Sequence, residues 1–344
     1  MTIVWKVDPD AENLADDPGI REAGLRIKRG ETIAFPTETV YGLGANALSN
    51  EAVQKIFEAK GRPGDNPLIV HISDQAQLKD LVQSVPREAE ALMDAFWPGP
   101  LTIVFPASGR VADKVTAGLP TVAVRMPDHS VARALIEAAG VPIAAPSANR
   151  SGRPSPTTAA HVMEDLAGRI AGILDGGATG VGVESTVVDA TVRPLTILRP
   201  GGVTREQLVA CVGRVESDAA LTAPDAKPKA PGMKYRHYAP KAPVYLVPGD
   251  CERVRSFVRQ AKAEGKAVGV LTTAEHRDAY PDADFVSVAG RRTDLATVAH
   301  GLYDALRAFD NLALDVIFSE TFDRTGIGEA IMNRLNKAAA HRVL

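Results

Sequence analysis

Between Ile20 and about Val212, short β-branched runs alternate with stretches whose apolar residues recur at helical spacing. The runs predict strands at Thr32 to Phe35, Leu68 to Ile72, Leu101 to Phe105, Val122 to Met126, Pro142 to Ala145, Ser185 to Asp189 and Leu195 to Leu198. Helical spacing predicts helices at Glu51 to Ala59, Val131 to Ala139 and Thr158 to Leu166. This interleaving describes one mixed α/β domain, with its chemistry on the loops between elements.

The pattern fades from Ser217 to Pro243. There the segment KPKAPGMKYRHYAPKAP is rich in Pro, Ala and Lys, and Lys227 to Lys241 carries five Lys or Arg and no acid. Beyond it, strands are predicted at Val244 to Val247, Ala267 to Leu271 and Val316 to Phe318, and helices at Glu252 to Glu264 and Leu295 to Asn311. The expected organisation is a domain over 1–217, a linker over 218–243 and a smaller Rossmann-like α/β domain over 244–344.

A chain of 344 residues suits two cores, and a net charge of -3 is not the broad positive field of a dedicated nucleic-acid binder. Any RNA contact would have to be local. Cys211 and Cys251 are far apart and have no Cys or His cluster beside them in sequence, which argues against a zinc finger or a disulfide framework. The first residues turn acidic where a signal peptide is apolar, and no run reaches membrane-spanning length, so a cytoplasmic location is expected.

No Gly-rich loop ending in Gly-Lys-Ser/Thr occurs, which excludes a P-loop enzyme. Gly42 to Ala47 formally fits a relaxed dinucleotide fingerprint, but Pro36 and a polar Thr-Glu-Thr step break the strand before it, so a tight turn is expected. The hydroxyls of Thr37, Thr39 and Tyr41 follow an apolar strand, as cleft lining or as turn chemistry. Lys60 and Arg62, with Asn66 nearby, sit in a Gly/Pro-bounded loop that can aim a point charge and a donor fork at a polyphosphate. A solvated basic loop is the plainer reading.

His71 interrupts the apolar run LIVHI, either as a satisfied core histidine or as a group facing the cleft. Arg125 puts a permanent cation inside an apolar strand and therefore needs an anion, from an internal acid or from a carboxylate ligand. Ser147, Asn149, Ser151 and Ser155 form a polar loop suited to phosphate and base contacts. Ser185 follows a Gly-rich turn, and Arg199 ends a strand, where a rim charge is the plainer reading.

Taken together, FPTETVYGLGANA, KGRPGDNPLIVHI, WPGPLTIVF, TVAVRMPDH, PIAAPSANRSGRPSPT, GVESTVVD and LRPGG resemble the threonylcarbamoyl-AMP synthase family. PGMKYRHYAP and GIGEAIMNRLNKAA resemble the linker and the end of its long form, a YrdC-like domain of mixed twisted sheet followed by a Rossmann-like one. The resemblance implies ATP-dependent joining of L-threonine and bicarbonate to AMP with release of pyrophosphate, and a separate tRNA threonylcarbamoyl transferase downstream. It implies that Thr39, His71, Arg125, Ala145 and Ser185 hold threonine. For ATP it implies Lys60, Arg62, Asn66, Thr121, Ser147, Asn149, Ser155, Arg199 and Tyr238, with Lys60 and Arg62 acting on the phosphates. Mg2+ would arrive with ATP, and no residue is assigned as a metal ligand. The linker, with Lys234, Tyr235, Arg236, His237 and Tyr238, is expected to act as a lid over the cleft. A double-stranded RNA binding module without turnover is the alternative from another class, and salt-dependent RNA affinity without ATP consumption would favour it.

Overall fold

A computed structural model describes residues 1–218 and 238–344. The chain divides into two compact units. One comprises Met1–Ser151, Pro156–Gly180 and the described residues from Glu184 to Asp218; the other comprises Gly152–Ser155, Val181–Val183 and the described residues from Tyr238 to Leu344. Among the described residues, no helix is long and apolar enough to cross a membrane.

Among the described residues, the first unit is built on eleven strands: β1 Ile3–Lys6, β2 Ile33–Phe35, β3 Gly42–Asn46, β4 Ile69–His71, β5 Leu101–Pro106, β6 Thr121–Arg125, β7 Ile143–Ala144, β8 Gly172–Asp175, β9 Thr186–Asp189, β10 Leu195–Arg199 and β11 Val215–Ser217. They form one mixed sheet in the order β1-β8-β2-β3-β7-β4-β6-β5-β9-β10-β11. The central strands β4 and β6 run parallel with His71 opposite Arg125, while β7 is antiparallel to β4. Strands such as β5 and β6 are almost wholly buried, which is why they read as near-continuous apolar runs.

Among the described residues, two large apolar clusters dominate the core of this unit, beside a smaller one of Ile69, Val104, Ala123, Val187 and Leu198. One joins Ile20, Ala23 and Ile27 of the helix Pro18–Lys28 to Val131, Leu135, Ile136 and Ala139 of the helix Ser130–Ala139. These helices approach so closely that a Cβ on Gly24 would meet the Ala138 backbone at 2.7 Å. The larger cluster gathers Val53, Ile56, Phe57, Val70, Ile103, Phe105 and Val124.

The stretch Gly42–Asn46, expected as a tight turn, is a strand, paired antiparallel with β2 and β7. Its glycines hide the alternation that marks a strand, and they have a steric reason. A Cβ on Gly44 would lie 2.7 Å from Ile143 Cγ2 and 2.8 Å from Phe35. This hairpin is also no strand-turn-helix, which removes the dinucleotide reading.

The second unit holds a four-stranded sheet of β12 Val244–Val247, β13 Val268–Thr272, β14 Phe285–Val288 and β15 Val316–Glu320, in the order β12-β15-β13-β14. All neighbouring strands are parallel. Helices Cys251–Ala263, Leu295–Ala308 and Ile327–Ala338 complete it. This is the open α/β arrangement expected of a Rossmann-like fold.

Candidate active site

The segment after β2 turns on a side chain. Thr37 Oγ1 donates to Val40 O at 2.7 Å and accepts from the amides of Thr39 and Val40, a hydroxyl turn that holds Glu38 and Thr39 in fixed directions. Thr39 is fully buried, and its Oγ1 accepts from Arg125 Nη1 at 2.9 Å. Arg125 Nε donates to Gly99 O at 3.2 Å, in the loop that leads into β5. The Arg125 guanidinium also lies 2.6 Å from the Glu38 carboxylate. The anion that Arg125 required is therefore present within the chain.

His71, opposite Arg125 across the β4–β6 ladder, is buried, with Nδ1 3.2 Å from Ile69 O. Burial, and then the Arg125 charge, push its pKa down to about 3, so the ring is neutral near pH 7. Ala145 is buried one residue beyond β7 and its amide donates to Ile69 O. Thr39, His71, Arg125 and Ala145 thus meet around the carboxyl ends of β4 and β6.

Ser185 stands just before β9, fully buried, with Oγ 2.7 Å from Thr102 Oγ1. Arg199 Nη2 donates to both Ser185 O, at 2.9 Å, and Ser185 Oγ, at 3.1 Å. Arg199 is only 4% exposed, so the rim-charge reading fails: the guanidinium fastens Ser185. Gly201 allows the chain to cross here, because a Cβ would lie 2.3 Å from Glu184 O.

A second group of residues surrounds Lys60. Ser49 caps the helix Asn50–Lys60 and Gly61 ends it in the left-handed region at φ 62°. The cap leaves Lys60 on the helix's buried face, 4% exposed, so the solvated-loop reading does not hold for it. Its Nζ donates to Ser147 O, to Asn149 O at 2.7 Å and to Asn149 Oδ1 at 3.4 Å, and Ser147 Oγ donates to Asn149 Oδ1 at 2.5 Å. Burial, and then the neighbouring Arg62 charge, hold the Lys60 pKa well below the ordinary lysine range. Asn66 is fully buried with neither its Oδ1 nor its Nδ2 hydrogen-bonded. A buried unsatisfied amide costs roughly 1–3 kcal/mol, which a polar ligand would offset.

Thr121 opens β6, four residues before Arg125, at the far end of that strand. Ser155 and Tyr238 belong to the second unit. Tyr238 is buried there, stacked on Tyr303 at 5.2 Å with the Arg334 guanidinium 5.7 Å from its ring. Lys234, Tyr235, Arg236 and His237 of the expected lid lie outside the described residues. Tyr41 Oη donates to Gly177 O at 2.6 Å, and burial raises its pKa, so this hydroxyl is held by the fold. Sequence reasoning missed Glu38 and Thr102. The acid between two hydroxyls after Phe-Pro was the available sign for Glu38, and nothing marked Thr102 inside its apolar strand.

The family described as telomere recombination matches residues 26–201, and the family described as threonylcarbamoyl-AMP synthase, C-terminal domain, matches residues 203–340. The chain is 54% identical to the threonylcarbamoyl-AMP synthase of Bacillus subtilis over 99% of this chain and 98% of that protein. It is 50% identical to the synthase of Pyrococcus abyssi over 100% of this chain and 99% of that one. The crystal structure of P. abyssi Sua5 complexed with L-threonine superposes with a TM-score of 0.94 at 47% identity, covering 100% of this chain and 99% of that one. Escherichia coli YciO, at 23% identity and a TM-score of 0.53 over 58% of this chain and 96% of that one, shares the fold of the first domain. Similarity over both domains and nearly the full length leaves one conclusion: the chain belongs to the threonylcarbamoyl-AMP synthase family.

Proposed function

We propose that this enzyme forms L-threonylcarbamoyl-AMP from L-threonine, bicarbonate and ATP, with pyrophosphate as the second product. The observation that carries the reading is the buried Arg125, aimed by Thr39 and Gly99 O beside a neutral His71. Such a guanidinium matches a carboxylate in charge and fork geometry. The threonine complex of the P. abyssi relative supports threonine as the amino acid.

In this reading threonine exchanges with Glu38 on Arg125, and Thr39, Ala145 and Ser185 line its pocket. The amine takes up bicarbonate with loss of water, giving a carbamate whose oxygen attacks the α-phosphorus of ATP as pyrophosphate leaves. The carbamate is already an anion, so the second step needs orientation and charge neutralisation more than a strong base. Lys60 and Arg62 supply positive charge for the phosphates, while Ser147, Asn149 and the unsatisfied Asn66 amide offer polar contacts for the nucleotide. ATP would enter as its Mg2+ complex, the ion carried on the substrate and neutralising the pyrophosphate. The product is an activated acyl group, fit for a transferase that acts on tRNA. The names of full-length relatives do not favour the double-stranded RNA reading.

Pyrophosphate release from ATP, followed with each substrate omitted in turn, tests the proposal: it should require both threonine and bicarbonate. Equal release with serine or without an amino acid would count against it.

A further inference from the structure

The second unit assembles a group of ligand-type side chains at the place where open parallel sheets bind ligands. From β13 the chain moves on to β14, on one side, whereas after β15 it returns past the helix Ile327–Ala338 to bridge β12 through Val343, on the other side. The crevice between the carboxyl ends of β13 and β15 is therefore a topological switch point. Thr272 ends β13 there and Glu320 ends β15. His276 comes from the 3-10 stretch Ala274–Ala279 after β13, and Cys251 opens the helix that follows β12. A thiol, an imidazole nitrogen and a carboxylate oxygen from these three elements all lie within 4.8 Å of one another.

We propose that Cys251, His276 and Glu320 form a binding site for a divalent transition-metal ion of the zinc class. Sulfur, nitrogen and oxygen donors together select zinc, cobalt or ferrous iron over magnesium or calcium, and three protein ligands leave a fourth position for water or a small ligand. The carboxylate is braced as a metal ligand requires. Thr272 Oγ1 donates to Oε1 at 2.5 Å, and Tyr280 Oη donates to the same oxygen. His276 Nδ1 lies 3.0 and 3.1 Å from the two oxygens of Glu320, a direct contact that an ion shared by the two groups would replace. Glu320 is 3% exposed, whereas Cys251 and His276 are half-buried, so an ion reaches the buried oxygen by way of the thiol and the imidazole.

Arg292 donates to Glu320 Oε2 and supplies a counter-charge to it. A dication would compete with that guanidinium for the carboxylate. Two cations at one carboxylate repel, so loss of the Arg292 charge should tighten metal binding. A carboxylate that merely staples the fold would respond in the opposite sense, losing stability with no gain in metal affinity.

The test is titration of the full chain, first stripped with a chelator, with cobalt(II), followed by absorption. One equivalent should give thiolate-to-cobalt charge transfer in the near ultraviolet and visible bands of a four-coordinate ion. Cys251→Ser should remove the near-ultraviolet band and Cys211→Ser should leave it. His276→Ala should weaken binding about tenfold or more, and Arg292→Gln should tighten it about fivefold. Circular dichroism of each variant separates lost ligands from lost fold. The absence of a thiolate band at one equivalent, or a band that survives Cys251→Ser, would overturn the proposal.

Discussion

Arg125 and Glu38 approach to 2.6 Å, and the two side chains are only 4% and 13% exposed. The pair is close, yet Arg125 Nη2 and both Glu38 oxygens lack an aligned hydrogen bond. An ion pair this poorly bonded is a weak source of stability, because burial of two charges is expensive. It suits a guanidinium that exchanges one carboxylate for another.

Arg125→Ala should cost threonine affinity about 2–5 kcal/mol, part of it from stranding Glu38. The double variant Arg125→Ala/Glu38→Gln relieves that orphaned charge. Calorimetry should find it folded and still unable to bind threonine. Normal threonine binding by either variant would make the pair purely structural.

Glu38→Gln alone leaves Arg125 without its internal counter-charge. The ligand-free protein should melt lower, and threonine should raise its melting temperature by more than it raises that of the unaltered chain. An equal thermal shift in both would contradict the exchange of carboxylates.

Lys60→Ala and Arg62→Ala should depress pyrophosphate release while threonine still binds, because their charges serve the phosphates. Lys60 also predicts a proton effect. Its pKa is depressed in the free protein, and a triphosphate beside it would restore the charged form, so ATP binding should take up a proton at alkaline pH. Calorimetry in buffers of different ionisation enthalpy measures that uptake, and Lys60→Arg should abolish it.

His71 sets an acid limit on stability. Its folded pKa of about 3 lies below the ordinary 6.5, so as pH falls through that window the unfolded chain takes the proton first. Its contribution is complete above pH 6.5 and is lost at about 1.4 kcal/mol per pH unit towards pH 3. Denaturant titrations should show a flatter acid limb for His71→Gln. The same slope in both proteins would mean that the ring is not held neutral.

How much of this was legible in sequence depends on what each residue leaves visible. Buried β-branched strands such as Thr121–Arg125 announce themselves through composition, and Val244–Val247 through its apolar run. Gly42–Asn46 was not legible as a strand, since its glycines exist to admit Phe35 and Ile143 and leave no alternation. Phe285–Val288 lies at the sheet edge, mostly half-buried, so its apolar signal is weak. Within the site, Arg125 was visible as a cation in an apolar strand, but its partner Glu38 lies in a loop that sequence does not bring near it. Arg199 looked like a rim charge because nothing local reveals that it grips Ser185. Cys251, His276 and Glu320 come from three separate elements, so no spacing rule could gather them.

Asn66→Leu should separate stability from function. Removing a buried amide with no partner should leave the fold as stable or make it more so, while ATP affinity falls by about 1–3 kcal/mol. Thermal melts and the KM for ATP read the two effects independently. A destabilised variant with unchanged KM would mean that the amide serves the fold.

The most direct test of the central claim is the fate of the bicarbonate carbon. The enzyme, incubated with ATP, L-threonine and carbon-13-labelled bicarbonate, should yield threonylcarbamoyl-AMP carrying the label in its carbamoyl group, with one pyrophosphate for each adenylate. Mass spectrometry of the quenched reaction would reveal both. Nucleotide products without the label, or labelled adenylate formed equally well without threonine, would contradict the account.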